Sequence, residues 1–314
     1  MKKSLMIILM VALTAMLFVT GCSKDDEDSD FETLINYMDG NGKTLAALTT
    51  SWIIGADSTF QANIANYYIL DLRGGDTDEN EVVDYVDGHI PGAVLVNFGN
   101  LLEMADDVDK PIIVVCYTGQ SAGHAVMALR LSGYMDAKVL KWGMSGWNSE
   151  FDSWSGNTGN VAIGNSNWVV APGDIMPNDT FDMPNLVATA SSGEAILAER
   201  VATMLEESFK GIAAVDVLDM PEDYFINNYW AEADVIQYGN IDTAYRLQPL
   251  VLENLNPDEI VVTYCWTGQT SSMITAYLTV LGYNAKSLKF GANSMIYDDL
   301  EAHKWGGSAN WDYE

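Results

Sequence analysis

The chain has 314 residues, 48% of them hydrophobic, and a formal net charge of -29. That length is enough for two cores of ordinary domain size. A surface this acidic repels phosphate backbones and anionic headgroups, which excludes nucleic-acid binding and any purely electrostatic attachment to a membrane.

Lys2 and Lys3 precede an apolar run from Leu5 to Val19, too short for an ordinary spanning helix and ending in small residues. This pattern predicts a secretory signal peptide over residues 1–21, the alternative being a signal anchor that stays in the membrane. Val19-Thr20-Gly21-Cys22 resembles the lipobox of bacterial lipoproteins, which implies diacylation of Cys22 and a membrane held by lipid. Residues 22–30 read as a solvated acidic tether. Ser23-Lys24-Asp25-Asp26-Glu27 resembles a lipoprotein export signal, so the expected location is the outer membrane of the cell envelope, surface-exposed or on the periplasmic face. With Cys22 lipidated, only Cys116 and Cys265 remain, fewer than a disulfide-stabilised secreted protein would use. Both therefore read as reactive thiols, although a bridge between them would form if their loops faced one another.

Residues 31–155 and 185–314 are expected to be two domains, joined by a linker at 156–184 rich in Gly, Asn, Pro and Asp. Their elements repeat in the same order. Tyr67-Tyr68-Ile69-Leu70-Asp71-Leu72-Arg73 matches Ile212-Ala213-Ala214-Val215-Asp216-Val217-Leu218 as a strand, making Leu218 the counterpart of Arg73. Gly88-His89-Ile90-Pro91-Gly92-Ala93 matches Gly239-Asn240-Ile241-Asp242-Thr243-Ala244, and Gly133-Tyr134 matches Gly282-Tyr283. Ala137 to Gly143 matches Ala285 to Gly291. Between the halves, Ile196, Leu197, Val201, Met204 and Leu205 have the spacing of an amphipathic helix within Ser192–Lys210. Strands alternating with helices predict an α/β fold in which each half is a mainly parallel sheet flanked by helices.

The chemistry sits in two matching loops. Ile112-Ile113-Val114-Val115 leads into Cys116, Tyr117, Thr118, Gly119, Gln120 and Ser121; Val261-Val262-Thr263-Tyr264 leads into Cys265, Trp266, Thr267, Gly268, Gln269 and Thr270. In each, a buried strand ends at a cysteine, and a glycine turn opens a helix. Only a thiolate attacks sulfur, and loop amides at a helix N-terminus favour that anion. Gly119 and Gly268 permit the positive-φ turn that aims those amides inward.

The order Asp71-Leu72-Arg73, Gly88-His89-Ile90-Pro91-Gly92-Ala93, the Cys116 loop and Gly143-Met144-Ser145-Gly146-Trp147 resembles the rhodanese domain, and the two halves together resemble tandem-rhodanese sulfurtransferases. The resemblance covers residues 60–150 and, in more drifted form, 205–300. It implies double displacement: the cysteine takes a sulfane sulfur from a small donor of the thiosulfate or mercaptopyruvate type, and a thiol or cyanide acceptor removes it from the persulfide. It implies no cofactor and no metal. Family loops often carry a cation at the place of Ser121 and Thr270, or at that of Tyr117 and Trp266; here neither loop has one. Cys116 is the expected nucleophile and Cys265 an active or vestigial second site. Asp71, Arg73 and His89 are expected to support the first loop; His124 and Trp147 read as packing. The alternative is a catalytically weak or inactive rhodanese-fold binding or scaffold lipoprotein that recognises another component of the cell envelope, with no protein partner identified.

Overall fold

The computed structural model describes residues 29–314 except 107, 174 and 178. The signal segment, Cys22 and residues 22–28 of the tether lie outside the described residues. The last two tether residues are helical in role: Ser29 caps α1 (Asp30–Gly40) and exchanges a capping box with Glu32. Among the described residues no helix is long and apolar enough to cross a membrane.

The first sheet contains β1 (Ile53–Ile54), β2 (Tyr68–Asp71), β3 (Val94–Leu95), β4 (Ile112–Val115) and β5 (Lys138–Leu140). Their order is β1-β5-β4-β2-β3, and every pair is parallel. After β6 (Trp168–Val169) comes the second sheet, with β7 (Gly211–Ile212) and β8 (Phe225–Asn228). The chain then forms β9 (Asn240–Ile241), which pairs antiparallel with β6, before β10 (Tyr245–Arg246), β11 (Val261–Tyr264) and β12 (Ala285–Leu288) complete the second sheet. Its order, β10-β8-β11-β12-β7, is that of the first sheet read from the other edge, again all parallel. The expected pair of parallel sheets is therefore present.

The four residues of β4 are all buried, and their period of two serves two cores. Ile112 and Val114 face a large core shared by the two halves, while Ile113 and Val115 face a smaller one with Phe60, Met144 and Trp147. The shared core is built on α1, α2 (Gln120–Leu131), α3 (Gly193–Glu207) and α4 (Gln269–Val280). Ile196, Leu197, Val201, Met204 and Leu205 of α3 are all buried, as their spacing predicts. At the crossing of α2 and α4, a Cβ on Gly123 would fall onto the Ser272 hydroxyl and within 3.0 Å of the Gln269 carbonyl. Arginines close the helix ends: Arg130 donates to the carbonyls of Ala137, Leu48 and Thr50, and Arg200 to those of Thr279 and Val280.

One strand of the repeat is misplaced by the sequence. Residues Ala214–Asp219 form a helix, with Ala214, Val217 and Leu218 buried and Val215 and Asp216 exposed, the i, i+3, i+4 pattern of a helical face. The true partner of β2 is β8: Asp71 pairs with Val115 of β4, and Asn228 with Tyr264 of β11. Asn228 thus replaces Asp71, and Trp230, not Leu218, replaces Arg73. The other matches hold in detail. Ala93 N–H bonds Ile90 C=O and Ala244 N–H bonds Ile241 C=O, while Gly92 and Thr243 both have positive φ.

The interdomain segment is not a free linker. Gly159 and Ala162 donate to the carbonyls of Asn293 and Met295, and Arg246 and Phe181 bond Ile175 and Glu253 along the same stretch. The last residues cross the other way. Trp311 donates to Trp147, Glu314 and His89 exchange two backbone bonds, and Glu314 Oε1 accepts from Gly92.

Candidate active site

Cys116 follows β4 directly and is 4% exposed. The chain turns through Gly119 at φ +82° and enters α2 with no side-chain cap, so the first helix amides are left for the loop. Gly119 N–H donates to Cys116 Sγ at 3.1 Å. The floor is a glycine clamp: Met144 and Ser145 amides bond the carbonyls of Cys116 and Tyr117 at 2.8 and 3.0 Å. A Cβ on Gly143, itself at φ +61°, would overlap the Cys116 carbonyl.

Cys116 opens onto a cleft of about 250 Å³ whose walls include Leu72, Arg73, Thr77, Asp84, Phe98, Tyr117, Thr118 and Ser121. Arg73 is 3% exposed and fully engaged. It meets Asp71 at 3.0 Å through Nε and 2.6 Å through Nη2, and reaches the carbonyls of Gly88 and Asp84 at 2.7 and 3.3 Å. Its guanidinium lies 5.1 Å from the Tyr117 ring centre and 5.1 Å from that of Phe151. Asp71 and Arg73 thus hold one another and tie the end of β2 to the carbonyls of Asp84 and Gly88. Asp84, which the sequence reading did not single out, is 3% exposed and accepts from Thr77 through both oxygens at 2.9 and 2.6 Å. Burial, and then the Asp84 carboxylate, push the Tyr117 phenol up to about 12, so it stays a neutral hydrogen-bonding group.

His89 does not reach this cleft's lining. It stacks on Tyr85 at 3.9 Å, bonds the Tyr85 carbonyl at 2.9 Å and faces Glu314 at 3.9 Å. His124 is buried against Phe98, with Nε2 3.2 Å from the Met204 carbonyl. Trp147 is packed and donates to the Asp312 carbonyl, as a core residue should.

The two glutamines correct the expected substrate loop. Gln120 Oε1 accepts from the Phe290 amide at 2.8 Å and its Nε2 donates to Thr118 Oγ1 at 3.1 Å. Gln269 Nε2 donates to the Thr118 carbonyl at 3.0 Å, and its Oε1 accepts from Thr267 Oγ1 at 3.3 Å. Both amides are committed to the seam between the two loops, which do face one another, and both cysteines are free thiols.

Residues 57–150 match the rhodanese-like domain family. Thiosulfate sulfurtransferase GlpE of Shewanella oneidensis is 37% identical over 82 residues, 26% of this chain and 74% of that protein. The chain belongs to the rhodanese family. The 3-mercaptopyruvate sulfurtransferase of Escherichia coli aligns over 290 residues at 22% identity, 84% of this chain and 98% of that protein. A solved 3-mercaptopyruvate sulfotransferase of Escherichia coli shares 17% identity and a TM-score of 0.29, covering 77% of this chain and 99% of that one. The first two of these, matched by sequence, make it a member of a family of sulfurtransferases.

The second rhodanese-like half keeps the clamp and changes the residues around the thiol. Ala292 and Asn293 amides bond the carbonyls of Cys265 and Trp266, and a Cβ on Gly291 would overlap the Cys265 carbonyl. Gly268 turns at φ +73°, and Thr270 lies half-buried in the first turn of α4. Cys265 Sγ, however, turns inward: it accepts from the Ser271 amide at 3.3 Å and donates to Ser271 Oγ at 3.6 Å, which contacts Ser287 Oγ at 2.8 Å. Next to it in the chain, Trp266 is stacked between Trp230, at 4.3 Å and 10°, and His303, at 5.3 Å and 20°. The Arg73–Tyr117 contact of the first half has become a Trp–Trp stack, and Val235 stands where Asp84 does. The buried Asn228 Oδ1 and Trp230 Nε1 have no hydrogen-bond partner, at the two positions where the first half has its ion pair.

Among the described residues, one group could offer carboxylates to a metal: Asp78, Asp84 and Asp87, with oxygens within 4.8 Å of one another. Each already accepts a donor from its own loop, Asp84 from Thr77 and the other two from the Asn80 side-chain amide.

Proposed function

We propose that this protein is a sulfurtransferase whose nucleophile is Cys116. The Cys116 thiolate takes a sulfane sulfur from a small donor, holds it as a persulfide in the cleft, and yields it to a thiol or cyanide acceptor. The observation that carries this reading is the placement of Cys116 Sγ at the open end of β4, 3.1 Å from the Gly119 amide and lining a cleft of molecular size. The amide and the α2 N-terminus favour negative charge on the sulfur, first as thiolate and then as persulfide anion. Thr118 and Ser121 supply the hydroxyl edge of the cleft, Tyr117 its neutral phenol; Asp71 and Arg73 position the loop. Cys265 is a vestigial site under this reading, because its sulfur bonds the buried Ser271 and a Trp230–Trp266 stack stands where the first half has Arg73 and Tyr117. The sequence adds a lipid on Cys22 and an outer-membrane location to the proposal; radiolabelled palmitate incorporation lost in Cys22→Ser would support the lipid, and recovery of the protein in the outer-membrane fraction of a density gradient would support the location.

Intact-mass measurement tests the chemistry. Incubation with a sulfane donor is expected to add one sulfur atom to the wild type and to Cys265→Ser, and none to Cys116→Ser. If no donor loads either cysteine, the enzyme reading falls and the binding lipoprotein, for which the uncharged loops already argue, takes its place.

A further inference from the structure

The wall of the Cys116 cleft has an unusual charge balance for a site that is to receive a sulfur donor. Among the described residues that line it, the one cation is Arg73, which is neutralised by Asp71 and directed at backbone carbonyls. Asp84 is the carboxylate that lines the cleft itself, whereas the buried Asp71 acts on it only through Arg73; the remaining wall is hydroxyls and the apolar Leu72 and Phe98. Tyr117, held neutral up to about 12, adds a dipole and no charge. The cleft is therefore net negative, inside a chain whose own charge is -29. A compact dianion such as thiosulfate meets no free cation there, and the sulfite it would release must also be held without one.

Resting on the sulfurtransferase reading, we propose that the donor is an organic persulfide, R–S–SH, whose R group carries no net negative charge, and that Asp84 and Ser121 set this preference. The Cys116 thiolate attacks the outer sulfur. The S–S bond of the donor breaks, R–S⁻ leaves with the bonding pair and is protonated by water, and Cys116 carries –S–SH. When R bears an ammonium group, the leaving thiolate is balanced within its own molecule, so the site needs no cation of its own. Asp84 attracts that ammonium, and the apolar Leu72 and Phe98 accept its carbon chain.

Two persulfides of opposite charge probe this: cysteamine persulfide, which carries an ammonium, and 3-mercaptopropionate persulfide, which carries a carboxylate, each loading rate being divided by that for sulfur transfer to a free small thiol because the two leaving thiolates differ in basicity. Loading of Cys116 is followed by rapid-quench mass spectrometry, with thiosulfate as a third donor. The ammonium probe is expected to load about tenfold faster than the carboxylate probe, a ratio of the size one nearby charge produces. Asp84→Asn should shrink that ratio. Ser121→Lys, a change at a half-exposed position, should reverse it and raise thiosulfate loading; Gln237→Lys, the same charge on the exposed surface of the other half, should leave it nearly unmoved. Equal ratios in the wild type and Ser121→Lys, or the same change from Gln237→Lys, overturn the proposal while leaving the sulfurtransferase intact. Faster loading by thiosulfate than by either persulfide does so as well. Absence of loading by all three donors overturns the sulfurtransferase reading itself.

Discussion

Arg73 and His124 are both ionisable and buried, yet their surroundings differ. Arg73 has Asp71 and two carbonyls in place of the water it loses. His124 has one carbonyl for Nε2 and nothing for Nδ1, so burial pushes its pKa down to about 4. It therefore folds neutral, although in the unfolded chain it protonates near 6.5. A base whose folded pKa is depressed gives stability that is complete above 6.5 and is lost as pH falls toward 4, because the unfolded state then binds the extra proton. The expected loss from this residue is about 3 kcal/mol across that window. Urea titrations at pH 7 and pH 4.5 test it: His124→Gln should flatten the difference by most of that amount, and an unchanged slope would mean that the imidazole is solvated.

The elements that present the two thiols are strand, glycine turn and helix, locked by a second glycine from the far side. Gly143 can be neither displaced nor given a side chain, because it combines φ +61° with direct contact on the Cys116 carbonyl. Gly143→Ala is expected to cost about 3 kcal/mol or more and to abolish persulfide formation. Gly133→Ala, at φ +110° with open space around it, isolates backbone strain and should cost only about 1–2 kcal/mol, with loading retained. Equal effects of the two would remove the clamp from the account. This strand-turn-helix unit was legible in the sequence because its signals are local: β-branched residues up to the cysteine, then glycine, then helical spacing. The partner of β2 was not, since Ala213 to Leu218 is an apolar run whose helical face shows only in which residues are buried. Asp84 and Trp230 were also hidden. Each acquires its role from a residue far along the chain, Tyr117 and Trp266, and nothing in local spacing announces such a meeting.

On the scale of the whole molecule the two halves behave as one body with a single central core. Residues from α1, α2, α3 and α4 share it, the segment after residue 157 runs along the second half, and residues 309–314 return to the first. Urea unfolding followed by tryptophan fluorescence and by far-UV circular dichroism should thus give coincident transitions, where independent domains would give two. The glutamine seam sets the size of one contribution. Gln120→Ala removes the partner of the Phe290 amide and is expected to cost about 1–3 kcal/mol. Gln269→Ala should cost less, because the Thr118 carbonyl it leaves still accepts from Trp154 Nε1 at 3.2 Å. The two side chains meet at Thr118, so the double variant should depart from additivity by roughly 0.5 kcal/mol or more. Strict additivity, or a larger loss from Gln269→Ala, would mean that the loops touch without supporting each other, and that the second half could drift in sequence without consequence for Cys116.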